Sequence, residues 1–185
     1  MATAVTGRRR LIGLGGAVLA VGFLVAMALS GQLRESGQFV RFVAAGLLSE
    51  TPDQVDRVEL TGRGRRWIFT RASGGWIIQP AAHALPRSLV THLEDSIKFM
   101  HVSPPIRVLE RTEWTEHGLQ EFGLSPPAYT AVLFGSGRPL VAASFGSPNP
   151  QRVLQYMRVE GRDPIYVMSR FVGEEWEQVL AEAGR

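Results

Sequence analysis

Residues 55–78 read VDRVELTGRGRRWIFTRASGGWII, and the fold follows from how this stretch is punctuated. Val58 and Leu60 alternate with Arg57 and Glu59. After Gly62-Arg63-Gly64, the segment Arg66 to Arg71 places Trp67 and Phe69 on one side, and Ala72-Ser73-Gly74-Gly75 turns the chain again into Trp76-Ile77-Ile78. Period-two alternation broken by short glycine turns predicts a three-strand antiparallel meander, because such turns cannot accommodate a parallel crossover.

Working outward, Pro86 suits a first helical turn, and Leu89, Leu93, Ile97 and Met100 follow at helical spacing, with Glu94 and Lys98 as an exposed i, i+4 pair. Thr112 is the expected cap of a short helix carrying Glu113 and Glu116, ended by Gly123 and Pro126-Pro127. Further strands are expected at Tyr129 to Phe134, Leu140 to Phe145, Leu154 to Val159 and Ile165 to Met168. Ser169 then caps a last helix with Val172, Trp176, Val179 and Ala183 as its buried stripe. The class is α+β. Each half runs strands and then a helix, the order a duplication would leave, although no residue-by-residue alignment of the halves emerges.

Upstream, the chain changes character. From Leu11 to Leu33 no residue is charged, and Leu11 to Leu29 is almost wholly apolar or glycine. At 1.5 Å per residue that is about the length needed to cross ~30 Å of hydrocarbon. Arg8, Arg9 and Arg10 precede it and favour a cytoplasmic N-terminus by the positive-inside rule. The expected organisation is a cytoplasmic basic N-terminus (1–10), a transmembrane helix (11–30), an amphipathic juxtamembrane linker (31–52) and an exported domain (53–185) in the periplasm of a bacterial inner-membrane protein. Ala26-Met27-Ala28 also fits a signal-peptide cleavage site, so retention and cleavage compete; either exports the domain.

With those three arginines set aside, the 17 acidic residues are matched by an equal number of basic ones, so the pI of about 9.9 is no nucleic-acid footprint. Cysteine is absent, which removes disulfides, thiolate nucleophiles and cysteine-rich zinc sites. Gly22, Ala26 and Ser30 recur every four residues and form a small helix face on which a second helix can pack. Phe39, Phe42, Val43 and Leu47 share an apolar face that suits a membrane surface, a membrane partner or the domain's own core. These seven residues are the candidate partner-binding positions.

The turn residues and aromatics carry a family likeness. Gly74-Gly75-Trp76 with Pro80, Phe122-Gly123-Leu124-Ser125-Pro126-Pro127, Phe145-Gly146-Ser147-Pro148-Asn149-Pro150, and Tyr156 to Val159 before Ile165-Tyr166-Val167 stand in the order of a bacterial family. From about Asp53 to about Leu180 the chain resembles the domain of unknown function 4340 family. That resemblance implies a single-span protein with an exported domain, of a kind encoded beside auxiliary components of ABC transporters such as those of gliding motility. It implies no activity and no catalytic residue. Phe122 and Ser147 depart from the family, where tyrosine and lysine are usual.

The residues offer little chemistry. His83, His92, His101 and His117 have no HxxxH or HExxH spacing, and surface or capping roles account for them better than a metal. Glu113 and Glu116 are better explained by the helix dipole than by acid/base catalysis. Ser136 and Ser147 sit in glycine turns but not in G-x-S-x-G, and Gly13 to Gly16 falls inside the apolar span. Trp67, Trp76, Trp114 and Trp176 read as core and rim aromatics. The expectation is therefore a non-enzymatic accessory or scaffold subunit with no cofactor, metal or nucleic acid and with a membrane-protein partner, for which the family resemblance implies an ABC-transporter-type complex. The alternative is an extracytoplasmic module binding a small molecule, lipid or glycan in a cleft between the halves.

Overall fold

A computed structural model describes residues 18–27, 44–80 and 83–185. The chain divides into two compact units, Met1–Phe42 and Val43–Arg185. In the first, residues 18–27 are helical (α1) and their side chains exposed. No helix among the described residues is long and apolar enough to cross a membrane.

The second unit is α+β. Its strands are β1 (Arg57–Gly62), β2 (Arg65–Ala72), β3 (Gly75–Gln79), β4 (His83–Ala84), β5 (Arg107–Leu109), β6 (Tyr129–Gly135), β7 (Arg138–Pro148), β8 (Leu154–Val159) and β9 (Ile165–Ser169). Its helices are α2 (Arg87–Val102), α3 (Arg111–Trp114), α4 (Gly118–Glu121) and α5 (Arg170–Ala183). All nine strands form one antiparallel sheet in the order β4-β3-β2-β1-β6-β7-β8-β9-β5.

The two expected meanders are joined where β1 pairs with β6 along its whole length, from Arg57 opposite Phe134 to Gly62 opposite Tyr129. Their first hairpins correspond: Gly62-Arg63-Gly64-Arg65 and Gly135-Ser136-Gly137-Arg138 both turn with positive φ at the two central residues, 52° and 71° in one, 51° and 77° in the other. Those are the angles of type I′ turns, whose twist matches that of the flanking strands. The correspondence of the halves lies in backbone geometry more than in side chains. Strand-for-strand pairing of β1 with β6 and the packing of α2 against α5 join the two halves.

Helices α2 and α5 cover one face. Val58, Leu60, Trp67 and Phe69 from the first half and Leu133, Phe145 and Met157 from the second meet Leu93, Ile97, Met100, Val172 and Trp176 in a single core. Among the described residues the opposite face is covered only at one end. There the α3–α4 segment brings Phe122 and Leu124 onto Leu109, Ile165 and Val167, with Trp114 and Tyr156 packed alongside. β9 is consequently buried on both sides, which explains its unbroken apolar run Ile165 to Met168.

Several local expectations are corrected. The compact unit starts at Val43 rather than Asp53: the Gly46 and Leu48 amides donate to the carbonyls of His101 and Met100, and Leu47 and Leu48 are 6% and 1% exposed. Glu110, not Thr112, caps α3, because Glu110 and Glu113 form a reciprocal capping box. One short helix becomes two single turns, and Glu116 lies between them. Pro86 stands at the N-cap of α2, one position before the helix. Ser169 is the N-cap of α5, but its side chain makes no capping hydrogen bond.

Candidate functional site

Of the seven candidate partner-binding residues, Gly22 and Ala26 lie exposed on α1, and a Cβ added at Gly22 would meet nothing within 4 Å. Ser30, Phe39, Phe42 and Val43 lie outside the described residues. Leu47 is in the core, which removes it from any docking face.

Three of the four histidines have structural partners. His92 Nδ1 lies 2.7 Å from Glu175 Oε2 and ties α2 to α5; His101 Nδ1 lies 3.0 Å from the Leu48 carbonyl; His117 pairs with Glu121 at 3.0 Å. His83 is exposed in β4. Among the described residues no three His, Cys, Asp or Glu side chains are grouped to hold a metal ion. Glu113 accepts from the Glu110 amide at 2.8 Å and from Arg107 at 2.6 Å. That amide first, and the guanidinium second, hold its carboxyl below the usual carboxylate range. A carboxylate ionised so readily has no proton to give at neutral pH, which fits a cap and not a general acid.

Two polar constellations escaped the sequence reading. The first is internal. The Tyr129 hydroxyl donates to the Gly173 carbonyl at 2.9 Å; Gln155, 2% exposed, donates to the Gly146 carbonyl at 2.9 Å and accepts from Arg170 at 2.9 Å; Arg170 pairs with Glu177 at 2.6 Å. Burial, with the nearby Glu177 charge, pushes the Tyr129 hydroxyl far above the ordinary tyrosine range. Burial opposes the charge on Arg170, but Glu177 outweighs it and holds the guanidinium above its usual value. Two of these bonds, Tyr129 to Gly173 and Arg170 to Gln155, span the interface between the sheet and α5, while the other two brace it from within the sheet and within the helix. The network orients the helix and offers no reactive group.

The second lies on the face that the helices leave open. Register across β1, β6, β7 and β8 aligns Thr61, Thr130, Ser144 and Arg158 in one row. Neighbouring strands are ~4.8 Å apart, so this is a ladder of hydroxyls ending in a guanidinium. Beside it opens a depression of about 320 Å³ lined by Thr130, Val132, Ala142, Ser144 and Arg158, with Glu160 also on its wall. Small side chains on β6 and β7 make the hollow, Arg158 of β8 borders it, and the α3–α4 layer stops beside it, where the Arg158 guanidinium lies 5.8 Å from the Trp114 ring centre.

No protein-family model, curated protein or solved structure matches this chain. What the site can do therefore rests on its own geometry. Four arginines among the described residues are half-buried. Arg57 pairs with Glu59, Arg71 donates to the Val55 carbonyl, and Arg170 has Gln155 and Glu177. Arg158 alone has no hydrogen-bond acceptor or ion-pair partner among the described residues, and its Nε is buried. Sequence analysis placed Arg158 within a strand and gave it no role. The available signal was the one charged residue in the strand Leu154 to Val159, whose other residues are apolar or aromatic apart from Gln155.

Proposed function

We propose that this chain is a non-enzymatic accessory or scaffold subunit of a membrane protein complex in a bacterial inner membrane, with a single-pass anchor, a cytoplasmic N-terminus and the α+β domain in the periplasm. The observation that carries the reading is the asymmetry of the sheet. One face is consumed by α2 and α5, whereas the outer face of β1, β2, β6 and β7, bearing Thr61, Ile68, Thr130, Val132 and Ser144, has no covering element among the described residues. A broad, mixed polar and apolar face beside a small hollow suits protein docking better than the enclosed, mostly apolar cavity typical of small-molecule sites. The uncharged span after Arg8 to Arg10 supports the anchor, and the small-residue face at Gly22, Ala26 and Ser30 supports contact with a membrane-embedded partner. The resemblance to the 4340 family points to an ABC-transporter-type complex as the kind of partner.

The test is recovery of tagged full-length protein in several mild detergents, with identification of what accompanies it. A stoichiometric membrane protein is the expected result, and its recovery should fall with Gly22→Leu, which blocks close helix approach. The domain would instead be read as an extracytoplasmic small-molecule, lipid or glycan binder if the protein emerged without a protein partner but with a bound small molecule. The observation favouring that second reading is the hollow beside Arg158.

A further inference from the structure

We infer that Arg158 is the seat for a carboxylate of the partner protein, so that an acidic segment of that partner lies on the open sheet face with one Asp or Glu side chain in the hollow. The inference rests on the scaffold reading and names the chemistry of its contact. A half-buried guanidinium held without an acceptor is costly, because its desolvated N–H gains nothing in return. Its neighbour repeats the pattern: the indole Nε1 of Trp114 is also buried without an acceptor. Two unsatisfied donors thus belong to side chains in contact at the margin of one layer. Those two atoms are closed to solvent, so an incoming oxyanion meets the terminal guanidinium nitrogens, which have no acceptor among the described residues either, and their planar fork favours a carboxylate or a phosphate.

The wall of the hollow selects between them. Glu160 lies beside Arg158 in the lining, too far to pair with it, and its charge repels a dianion more strongly than a monoanion. One cation with one anion nearby fits a singly charged carboxylate, and the hydroxyls of Thr130 and Ser144 can meet its second oxygen or the adjoining peptide. The volume of about 320 Å³ stands at the lower end of small-molecule pockets, enough for a side chain and a little more. The hollow is continuous with the uncovered strands, which leaves a path for the flanking residues of a protein segment.

The experiment uses the full-length protein in mild detergent, with arginine side chains labelled by nitrogen-15. Acetyl-glutamate amide is titrated against it, with acetyl-glutamine amide and inorganic phosphate as parallel probes. The Arg158 Nε signal should move saturably with the glutamate probe, not with the glutamine probe, and at lower concentration than with phosphate. Arg158→Lys should weaken the response roughly tenfold, since a point charge replaces the fork, and Arg158→Gln should abolish it. An immobile Arg158 signal, a preference for phosphate, or an undiminished response in Arg158→Gln overturns the inference. Recovery of the partner by wild type and its loss with a folded Arg158→Gln protein supports it. Equal recovery by both variants overturns it while leaving the scaffold reading intact. Binding of the glutamate probe by a protein that is always recovered without a partner overturns both, and assigns the seat to a free organic acid.

Discussion

Replacing Gly173 by alanine sets two effects of opposite sign against each other. Gly173 lies inside α5, and by helix propensity alone the change should stabilise the protein by up to about 1 kcal/mol. The tertiary contacts say otherwise. A Cβ at this position would stand 1.8 Å from Gln155 Oε1, 2.8 Å from Gln155 Cδ and 2.9 Å from the Tyr129 hydroxyl. Gln155 cannot swing aside cheaply, because it is held by Gly146 at one end and Arg170 at the other. Either α5 lifts from the sheet or the network breaks. Overpacking of a tight interface costs about 1–3 kcal/mol, and each buried hydrogen bond given up costs a further ~1 kcal/mol. With one or two bonds lost and the propensity gain subtracted, the net loss is about 3 kcal/mol, or roughly 6–12 °C in melting temperature for a chain of this size. Urea unfolding of the full-length protein, followed by tryptophan fluorescence, measures it. Adding Gln155→Ala should recover part of the loss, because the clash goes with the amide. An unchanged or raised midpoint in Gly173→Ala alone would refute the placement of α5 on the sheet.

Trp76, 2% exposed, should cost about 3–5 kcal/mol on truncation to alanine, and an unchanged melting temperature would show its ring to be exposed. Because the Glu113 carboxyl is depressed, its contribution to the α3 cap should be complete above about pH 4.5, its ordinary value, and lost only as the pH falls through the lowered one; the Glu110 amide shift reports this, and a midpoint above that value contradicts the capping box. Tyr129, raised by burial, should stay protonated while folded, so stability should fall as pH rises above ~10, where the unfolded chain ionises, and Tyr129→Phe should flatten that fall. Alkaline phosphatase fused after Arg185 should be active and a cytoplasmic-type fluorescent fusion dark; the reverse pattern would invert the proposed topology.

The strands β1, β2, β6, β7 and β8 and the helices α2 and α5 were legible because their side-chain periods are local properties, and β3 and β9 because each is a short apolar run. Alternation at period two marked Val58 and Leu60, and spacing at 3.6 marked Leu89, Leu93 and Ile97, whatever they pack against. β4 and β5, at two and three residues, are too short to show a period. Leu47 and Leu48 looked like the end of a linker because two apolar residues do not reveal which surface will bury them.

The sequence by itself determined the elements, the turns and the apolar faces, since each depends on neighbours within a few residues. Only the tertiary structure decided that β1 pairs with β6, that two meanders make one sheet, and that α2 and α5 share a face. It alone brought Thr130, Ser144 and Arg158 into a row and set Gly173 against Gln155. The reason is physical: periodicity specifies which face of an element must be buried, but not the distant partner that buries it. The uncovered row on the sheet and the guanidinium without an acceptor are products of that partner choice.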